Sequence, residues 1–247
     1  MELPTPDSGL FFATLFFYFV IAGVIIYCLR IGKLTFPAAI AALLIGVFIA
    51  VGDGAKGVFL LFTFFVLGVW ATSHRKDLKA KISTEGDHPQ GRTAGQVFAN
   101  GGVAAIVALL SLFAPGPAHL YQLMLAASLA SALADTLSSE LGMVYGRNFF
   151  NILSFKKEPK GLDGVISLEG TLIGAAGAAI ISLIYDGFSQ LSLIVLIAGV
   201  LGNLADSLLG AAFERKHLIG NNTVNFLNTL FAALVAALLY GCILYAG

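Results

Sequence analysis

Four carboxylates interrupt long apolar stretches of this 247-residue chain: Asp135, Glu140, Glu169 and Asp206. A charge at the centre of a bilayer costs at least ~2.5 to 3.5 kcal/mol on insertion scales, so an acidic residue there usually marks a functional site. Carboxylates crowded in a medium of low dielectric either take up a proton or bind a cation. Mg²⁺ is the economical choice, since it prefers oxygen ligands and binds through one or two carboxylates plus phosphates. We therefore take Asp135, Glu140 and Asp206 as candidate metal ligands and catalytic residues.

The two aspartates lie in matching contexts, which indicates a weak parallel internal repeat. The sequence LADTL at 133–137 is answered by LADSL at 204–208. A structural hydrogen bond between helices, with Thr136 and Ser207 as partners, is the alternative interpretation of this pair. Glu140 follows Asp135 by five positions, roughly 140° around an ideal helix. Both can reach one metal only if the helix ends or distorts between them, and a helix-end residue is the alternative interpretation of Glu140.

A glycine-rich loop, 156–171, leads into the apolar stretch that carries Glu169. Backbone N–H groups at a helix N-terminus form an anion site, because they and the helix dipole point outward. Ser167 is the predicted N-cap of that helix. Glu169 has an alternative role as a first-turn acid that stabilises the dipole. Basic residues near the acidic cluster, including Arg92 and Lys160, are candidates for phosphate contacts, with ordinary anchoring of loops as the alternative.

Composition predicts the elements that must position these groups. Hydrophobic residues make up 58% of the chain and charged residues 11%, whereas a soluble domain has about 25% charged residues. The apolar residues lie in long blocks, which predicts an all-α, polytopic membrane protein that forms a single integral membrane domain over residues 1–247. Net charge is zero, and no basic domain favours nucleic-acid binding.

Eight stretches are long enough to span a membrane, and seven spans are the alternative. They are approximately Leu10–Leu29, Leu34–Val51, Gly57–Ser73, Gln96–Ala114, His119–Gly142, Ile166–Tyr185, Leu191–Phe213 and Thr223–Ala246. The second and third are short and separated by a glycine-rich turn at 52–57, so they are candidates for one hairpin. Eight spans place thirteen of the fourteen Lys and Arg residues on one side and only Lys56 on the other. The positive-inside rule then places both termini outside and the long loops in the cytoplasm.

This topology predicts that the polar groups share one depth near the cytoplasmic face. Asp135 and Asp206 lie about two turns from the cytoplasmic ends of their helices. Glu169 lies in the first turn of the helix between them. Asn100 and Asn225 lie early in helices that start on the same side. Acidic ligands beneath a basic rim are the components of a phosphoryl-transfer site.

Five ordered motifs resemble a known family. They are GRTAGQVFANG, ADTLSSELG, FKKEPKGLDGVISLEGT, NLADSLLGA and NNTVN. Together they are similar to domain-of-unknown-function family ninety-two, which includes plant phytyl-phosphate kinase and the transmembrane protein nineteen group. The resemblance covers the motif-bearing part, 91–228, whereas the helices of 1–73 are less distinctive. The loop departs from the plant pattern at Lys160-Gly161-Leu162-Asp163, where a Gly-Thr-Glu-type turn is expected.

The resemblance implies a CTP-using, Mg²⁺-dependent kinase that converts an isoprenyl monophosphate lipid into the diphosphate in the membrane. Asp135, Glu140 and Asp206 would be metal and nucleotide ligands. The phosphate-binding loop would consist of Lys157, Gly161, Gly164, Ser167 and Glu169, with Asn100 in the same polar floor. A cation- or proton-coupled transporter is the alternative function, because acidic repeats also suit a carrier. A cytidylyltransferase would use the same parts. The oligomeric state, the isoprenoid and the nucleotide preference stay open.

Overall fold

The computed structural model describes residues 19, 21–81, 91–113 and 118–246, which are mainly helical. Residues 10–18 of the first predicted span and residues 82–90 lie outside the described residues. The helices are α1 (Ile21–Arg30), α2 (Phe36–Ser73), α3 (Lys76–Ala80), α4 (Ala94–Phe113), α5 (Ala118–Tyr145), α6 (Leu168–Asp186), α7 (Gln190–Ala212) and α8 (Asn221–Ala246). Six of them, α2 and α4 to α8, are long and apolar enough to cross a membrane. The polytopic helical class is confirmed, while the number of crossings and the side of the termini stay predictions.

Helix α2 is a hairpin of two helical legs that meet at Gly54. This residue has φ 71° and ψ −154°, a backbone conformation that is essentially restricted to glycine. The two legs pack against each other: a Cβ built at Gly46 in the first leg would lie 4.0 Å from the Leu61 side chain in the second. Lys33, just before the hairpin, donates a 2.8 Å hydrogen bond to Ser73 at its end. The hairpin predicted from the glycine-rich turn is therefore confirmed, and the loop between its legs is reduced to one residue.

Helix α5 lies at the centre of the bundle and contacts α2, α4, α6, α7 and α8. Nearly every side chain from 123 to 134 is fully buried. Close approach of the neighbouring helices depends on small residues, as is usual between membrane helices. A Cβ at Gly199 of α7 would lie 2.8 Å from the Ala130 Cβ, and one at Gly174 of α6 would lie 2.9 Å from the Ser138 Cβ. The small residues therefore bring the polar side chains of three helices together.

Two short strands depart from the all-helical prediction. Strand β1 (Phe149–Asn151) pairs with β2 (Val165–Ser167) in antiparallel register, with Phe149 opposite Ser167. The Asn151 carboxamide oxygen accepts hydrogen bonds from Leu153 N (2.9 Å) and Ser154 N (3.0 Å), which turns the chain after β1. Three-residue strands carry too little periodicity to be seen in the sequence. Their pairing folds the glycine-rich loop back over the ends of α5 and α7.

Candidate functional site

Asp135 of α5 and Asp206 of α7 meet inside the bundle. The two helices run in the same direction, since Gly199 packs on Ala130 and, five positions further along α5 and seven further along α7, Asp206 meets Asp135. Their carboxyl groups lie within hydrogen-bonding reach of each other. The parallel orientation predicted from the LADTL and LADSL repeat is therefore confirmed. It places equivalent positions of the two helices side by side, so the two acids converge.

Asn228 of α8 is the third member of this buried polar group. Its side-chain amide donates a 2.5 Å hydrogen bond to the Asp206 carboxylate. Its carbonyl oxygen accepts from the Ser131 hydroxyl at 3.1 Å. By contrast, Thr136 donates to Ala132 O in its own helix, and Ser207 donates to the backbone of α7. Thr136 and Ser207 were the expected partners if the aspartates only formed hydrogen bonds between helices. Both hydroxyls instead bond to the backbone of their own helices.

The two aspartates open into a cavity of about 220 Å³ between α5, α6, α7 and the glycine-rich loop. Three of the predicted loop residues line the same cavity. These are Gly161, Gly164 and Ser167. Backbone and hydroxyl groups therefore face a pair of carboxylates across a small space. Such a cavity suits the phosphate portion of a nucleotide together with a cation.

Local sequence explains how the loop reaches the cavity. Gly164 has φ 71°, and a Cβ there would lie 2.2 Å from the Ala211 Cβ, so only glycine allows the loop to touch α7. The Ser167 hydroxyl accepts a hydrogen bond from Gly170 N at 3.1 Å. The predicted N-cap of α6 is therefore confirmed. Gly170 and Thr171 of this first turn line the cavity, so the N-terminal end of α6 and its positive dipole lie beside it.

The donors in the cavity fit Mg²⁺. Two adjacent carboxylates surrounded by apolar helices need a proton or a cation between them. The Asn203 carboxamide and the Ser207 hydroxyl, which also line the cavity, add oxygen atoms of the kind that Mg²⁺ prefers. No group of three His, Cys, Asp or Glu side chains in the described ranges is arranged to hold a metal. Two carboxylates and neutral oxygens are a donor set that suits Mg²⁺ when phosphate oxygens complete its coordination.

Glu140 does not line this cavity, and its role as a third metal ligand stays a prediction. Helix α5 continues without interruption to Tyr145, so Glu140 faces away from Asp135 as expected for a five-residue separation. Its carboxylate forms an ion pair with Lys79 of α3. The Lys79 ammonium group also donates to Ala71 O and Thr72 O, both at 2.9 Å. Glu140 therefore holds α3 and the end of α2 against α5.

The other charged residues predicted for the loop lie outside the cavity lining. Lys157 pairs with Phe150 in an isolated bridge, and Lys160 donates to Met143 O at 3.3 Å beside the cavity. Glu169 accepts a 3.3 Å hydrogen bond from Arg147 N. Arg215, after α7, donates to Glu158 at 2.7 Å, and this hydrogen bond lowers the pKa of the Glu158 carboxyl. Of these side chains, Lys160 is held near the cavity, and the ion pair of Glu158 secures the loop to the end of α7.

The predicted amide and arginine contacts divide between two places. Asn225 donates to the Asn221 carboxamide at 3.4 Å, and Asn221 lines the aspartate cavity. Arg92 and Asn100 instead line a separate apolar cavity between α1, α2 and α4. The common polar floor predicted for Asn100 and the aspartates is therefore not formed in this structure, because α4 turns Asn100 toward α2.

Asn203 and Asp163 are among the cavity residues that were not predicted as site residues. Asn203 accepts a 3.0 Å hydrogen bond from Ser138 and joins α7 to α5. Asp163 lines the cavity and interacts electrostatically with Asp206. Asn203 directly precedes the LADSL repeat, so a polar residue in an apolar run was the available signal. Asp163 lies in a polar loop, where an acidic residue is ordinary and carries no such signal.

Comparison with known proteins agrees with the motifs. Residues 10–233 match the family described as "Integral membrane protein DUF92". A membrane protein of Methanocaldococcus jannaschii is 36% identical over 76% of this chain and 77% of its own length, and one of Synechocystis is 33% identical over 79% and 78%. "Protein VTE6, chloroplastic" of Arabidopsis thaliana is 28% identical over 83% of this chain, which spans only 64% of that protein. No solved structure matches the chain. The chain belongs to the DUF92 family of integral membrane proteins.

Proposed function

We propose that this protein is a CTP-dependent kinase that transfers a phosphoryl group to an isoprenyl monophosphate at the cytoplasmic face of the membrane. One observation carries the proposal: a single cavity joins Asp135 and Asp206, from two helices, to the glycine-rich loop that precedes α6. Membership of the family supports it, since the motifs resemble those of plant phytyl-phosphate kinase. The choice of CTP and of an isoprenoid acceptor comes from that resemblance and not from a contact in the cavity.

The loop and the helix N-terminus orient the nucleotide. Gly161 and Gly164 expose backbone at the cavity wall, and Gly170 and Thr171 of the first turn of α6 line the same space. Backbone donors of this kind hold negative phosphate oxygens without requiring side-chain charge. Lys160, which donates to Met143 O, supplies a positive charge at the edge of the cavity. The neutral amides of Asn203 and Asn221 complete the lining.

The two aspartates would hold Mg²⁺, which supplies charge neutralisation for the phosphates during transfer. Asn228 and Asp135 orient the Asp206 carboxylate from two sides. An oxygen of the acceptor monophosphate forms the new bond to the γ-phosphorus, while the bond between that phosphorus and the β–γ bridging oxygen breaks and CDP leaves. The acceptor oxygen is largely ionised at pH 7, since the second pKa of a phosphate monoester is about 6. No strong general base is therefore required of the protein.

Purified protein incubated with γ-labelled CTP, Mg²⁺ and phytyl or geranylgeranyl monophosphate tests the proposal. We expect label in a lipid diphosphate. Asp135→Asn and Asp206→Asn should each lower the rate by about two orders of magnitude, the effect of removing one preorganised charge-stabilising group. Asp77→Asn is the matched control, because Asp77 is an exposed acid in α3.

Each other result has a defined meaning. An unlabelled lipid that carries CMP would assign cytidylyl transfer to the same cavity. Full activity of Asp135→Asn would disprove the role of the aspartate pair. If folded wild-type protein phosphorylated no isoprenyl phosphate with any nucleotide, the kinase proposal would be rejected, and cation-coupled transport in vesicles would be measured instead.

A further inference from the structure

A second cavity, of about 510 Å³, lies between α1, the α2 hairpin and α4. Its volume falls within the range of about 300–1,000 Å³ that is usual for small-molecule sites. The walls are hydrocarbon from all three elements, for example Val24 of α1, Ile45 and Phe64 of α2, and Val97 of α4. It shares no described lining residue with the aspartate cavity. A site with such walls selects a ligand with a long apolar part.

Two polar side chains, Arg92 and Asn100, stand among these apolar walls. Asn100 is only 9% exposed. Its amide nitrogen donates to Gln96 O at 2.9 Å, but its carbonyl oxygen has no hydrogen-bond partner among the described residues. A buried acceptor without a partner costs about 1–3 kcal/mol. A ligand that offers a hydrogen-bond donor at this point would remove that cost.

Arg92 is held in place through its backbone. Its N–H donates to Lys33 O at 2.9 Å, and its carbonyl accepts from Thr35 N at 3.1 Å. Both partners belong to the short connection between α1 and α2, so Arg92 is fixed at the point where all three walls meet. The position is therefore built by the fold and does not depend on a flexible loop.

No carboxylate in the described part of the chain lies within ion-pair distance of the Arg92 guanidinium group. This group lies against Gly68, where a Cβ would be 2.9 Å from Nη2, and 5.8 Å from the centre of the Phe64 ring. It makes no ion pair or side-chain hydrogen bond with a described residue. Burial lowers the pKa of this guanidinium, and the more distant Glu140 carboxylate raises it. A partly buried arginine of this kind favours an anion, and a phosphate matches its planar donors.

We propose that this cavity binds a single-chain lipid phosphate, with the hydrocarbon chain between α1, α2 and α4 and the phosphate monoester at Arg92 and Asn100. The phosphate oxygens accept from Arg92. The apolar walls favour the monoanion over the dianion that predominates in water at pH 7, and the P–O–H of this monoanion donates to the free carbonyl oxygen of Asn100. This second lipid site goes beyond the proposed kinase activity, because it is separate from the aspartate cavity. Binding there requires neither nucleotide nor Mg²⁺.

Photolabelling of the full chain tests this site without any measurement of phosphoryl transfer. The probe is hexadecyl phosphate with a diazirine in its chain, added to protein in phosphatidylcholine nanodiscs without nucleotide or Mg²⁺. Hexadecanol with the same diazirine is the neutral comparison. We expect the phosphate probe to label peptides of α1, α2 and α4 at least about fivefold more than the alcohol, a difference of roughly 1 kcal/mol in binding. Arg92→Gln should remove this preference.

A matched pair of glycine variants tests the cavity itself. Gly46 lines the cavity, and a Cβ there meets only Leu61 at 4.0 Å, so Gly46→Leu should fill the space and abolish labelling of the three helices. Gly23 in α1 is exposed, lies outside the lining and has nothing within 4 Å of its Cβ position. Gly23→Leu should therefore label like the wild type. Ala50→Leu, also in the lining, replaces Gly46→Leu if that variant does not elute as a folded monodisperse protein.

The outcomes separate this inference from the kinase proposal. Labelling confined to other helices, or unchanged by both cavity-filling variants, would overturn the site. Equal labelling by the alcohol would overturn the role of Arg92 and Asn100. Displacement of the probe by millimolar inorganic phosphate alone would show that the head group suffices and would overturn the assignment of the chain to the cavity. A protein that binds the probe here but transfers no phosphoryl group would retain this site and lose only the proposed function.

Discussion

The side-chain amide of Asn228 donates a 2.5 Å hydrogen bond to the Asp206 carboxylate, which ties α8 to the acidic pair between α5 and α7. Asn228 is fully buried and also accepts from Ser131. One asparagine therefore satisfies groups on two other helices. Its position makes the geometry of the aspartate pair dependent on the packing of α8.

We expect Asn228→Leu to lower the free energy of unfolding by about 1–3 kcal/mol, because Asp206 and Ser131 each lose a buried partner. Phosphoryl transfer should fall about tenfold or more, since the Asp206 carboxylate is no longer oriented. Thermal denaturation in detergent and the steady-state rate measure the two effects. Gln190→Ala, at an exposed amide at the start of α7, is the control. Unchanged stability and rate would show that the hydrogen bond has no role in either.

The variant Glu140→Gln tests whether Glu140 has a structural role or is a metal ligand. Loss of the ion pair with Lys79 should lower thermal stability, because the buried ammonium group loses its carboxylate partner. The Mg²⁺ concentration that gives half-maximal activity should not change. In the double variant Lys79→Gln/Glu140→Gln the loss of stability should be smaller than the sum of the single losses. A shift in Mg²⁺ dependence as large as that of Asp135→Asn would show that Glu140 is a ligand after all and contradict its purely structural role.

Gly164→Ala should move the loop away from α7. Its backbone has φ 71°, and the new methyl group would overlap Ala211, so the cost should exceed the usual penalty of about 1–3 kcal/mol for a residue in an unfavourable conformation. Gly187→Ala is a matched control, because Gly187 also has positive φ, at 57°, but has open space around it. We expect both variants to lose stability, whereas only Gly164→Ala raises the KM for the nucleotide. Equal KM values would show that the loop does not contact the nucleotide.

Acid should release the loop through Glu158. The hydrogen bond from Arg215 lowers the pKa of this carboxyl below its ordinary value of 4.5. Because the pKa is depressed in the folded state, the stabilisation is complete above pH 4.5 and is lost as the pH falls through the folded-state value. Amide hydrogen exchange of residues 149–165, corrected for intrinsic rates, should increase in acid in the wild type. In Glu158→Gln the corrected exchange rates of the same amides should be elevated and should not change with pH. An increase in acid like that of the wild type would exclude Glu158 as the cause.

Much of the fold follows from local patterns in the sequence. The predicted spans from α4 to α8 lie within three residues of the observed helices, because transfer of about twenty apolar residues into a bilayer is a property of each segment alone. The hairpin at Gly54 and the Ser167 cap are equally local, since they depend on glycine's freedom at positive φ and on a hydroxyl at a helix N-terminus. The parallel meeting of Asp135 and Asp206 follows from the repeat and the order of the spans.

Only the tertiary structure decided which polar groups share a cavity. Glu140 pairs with Lys79, 61 positions away, and Asn203 joins Ser138 across 65 positions. Arg92 and Asn100 face the α2 hairpin, although they belong to the same stretch of motifs as the aspartates. Hydropathy determines that a helix spans the membrane, but not its rotation about its own axis. That rotation is set by close contacts between small residues of neighbouring helices, and these contacts direct each carboxylate or amide into one cavity or the other.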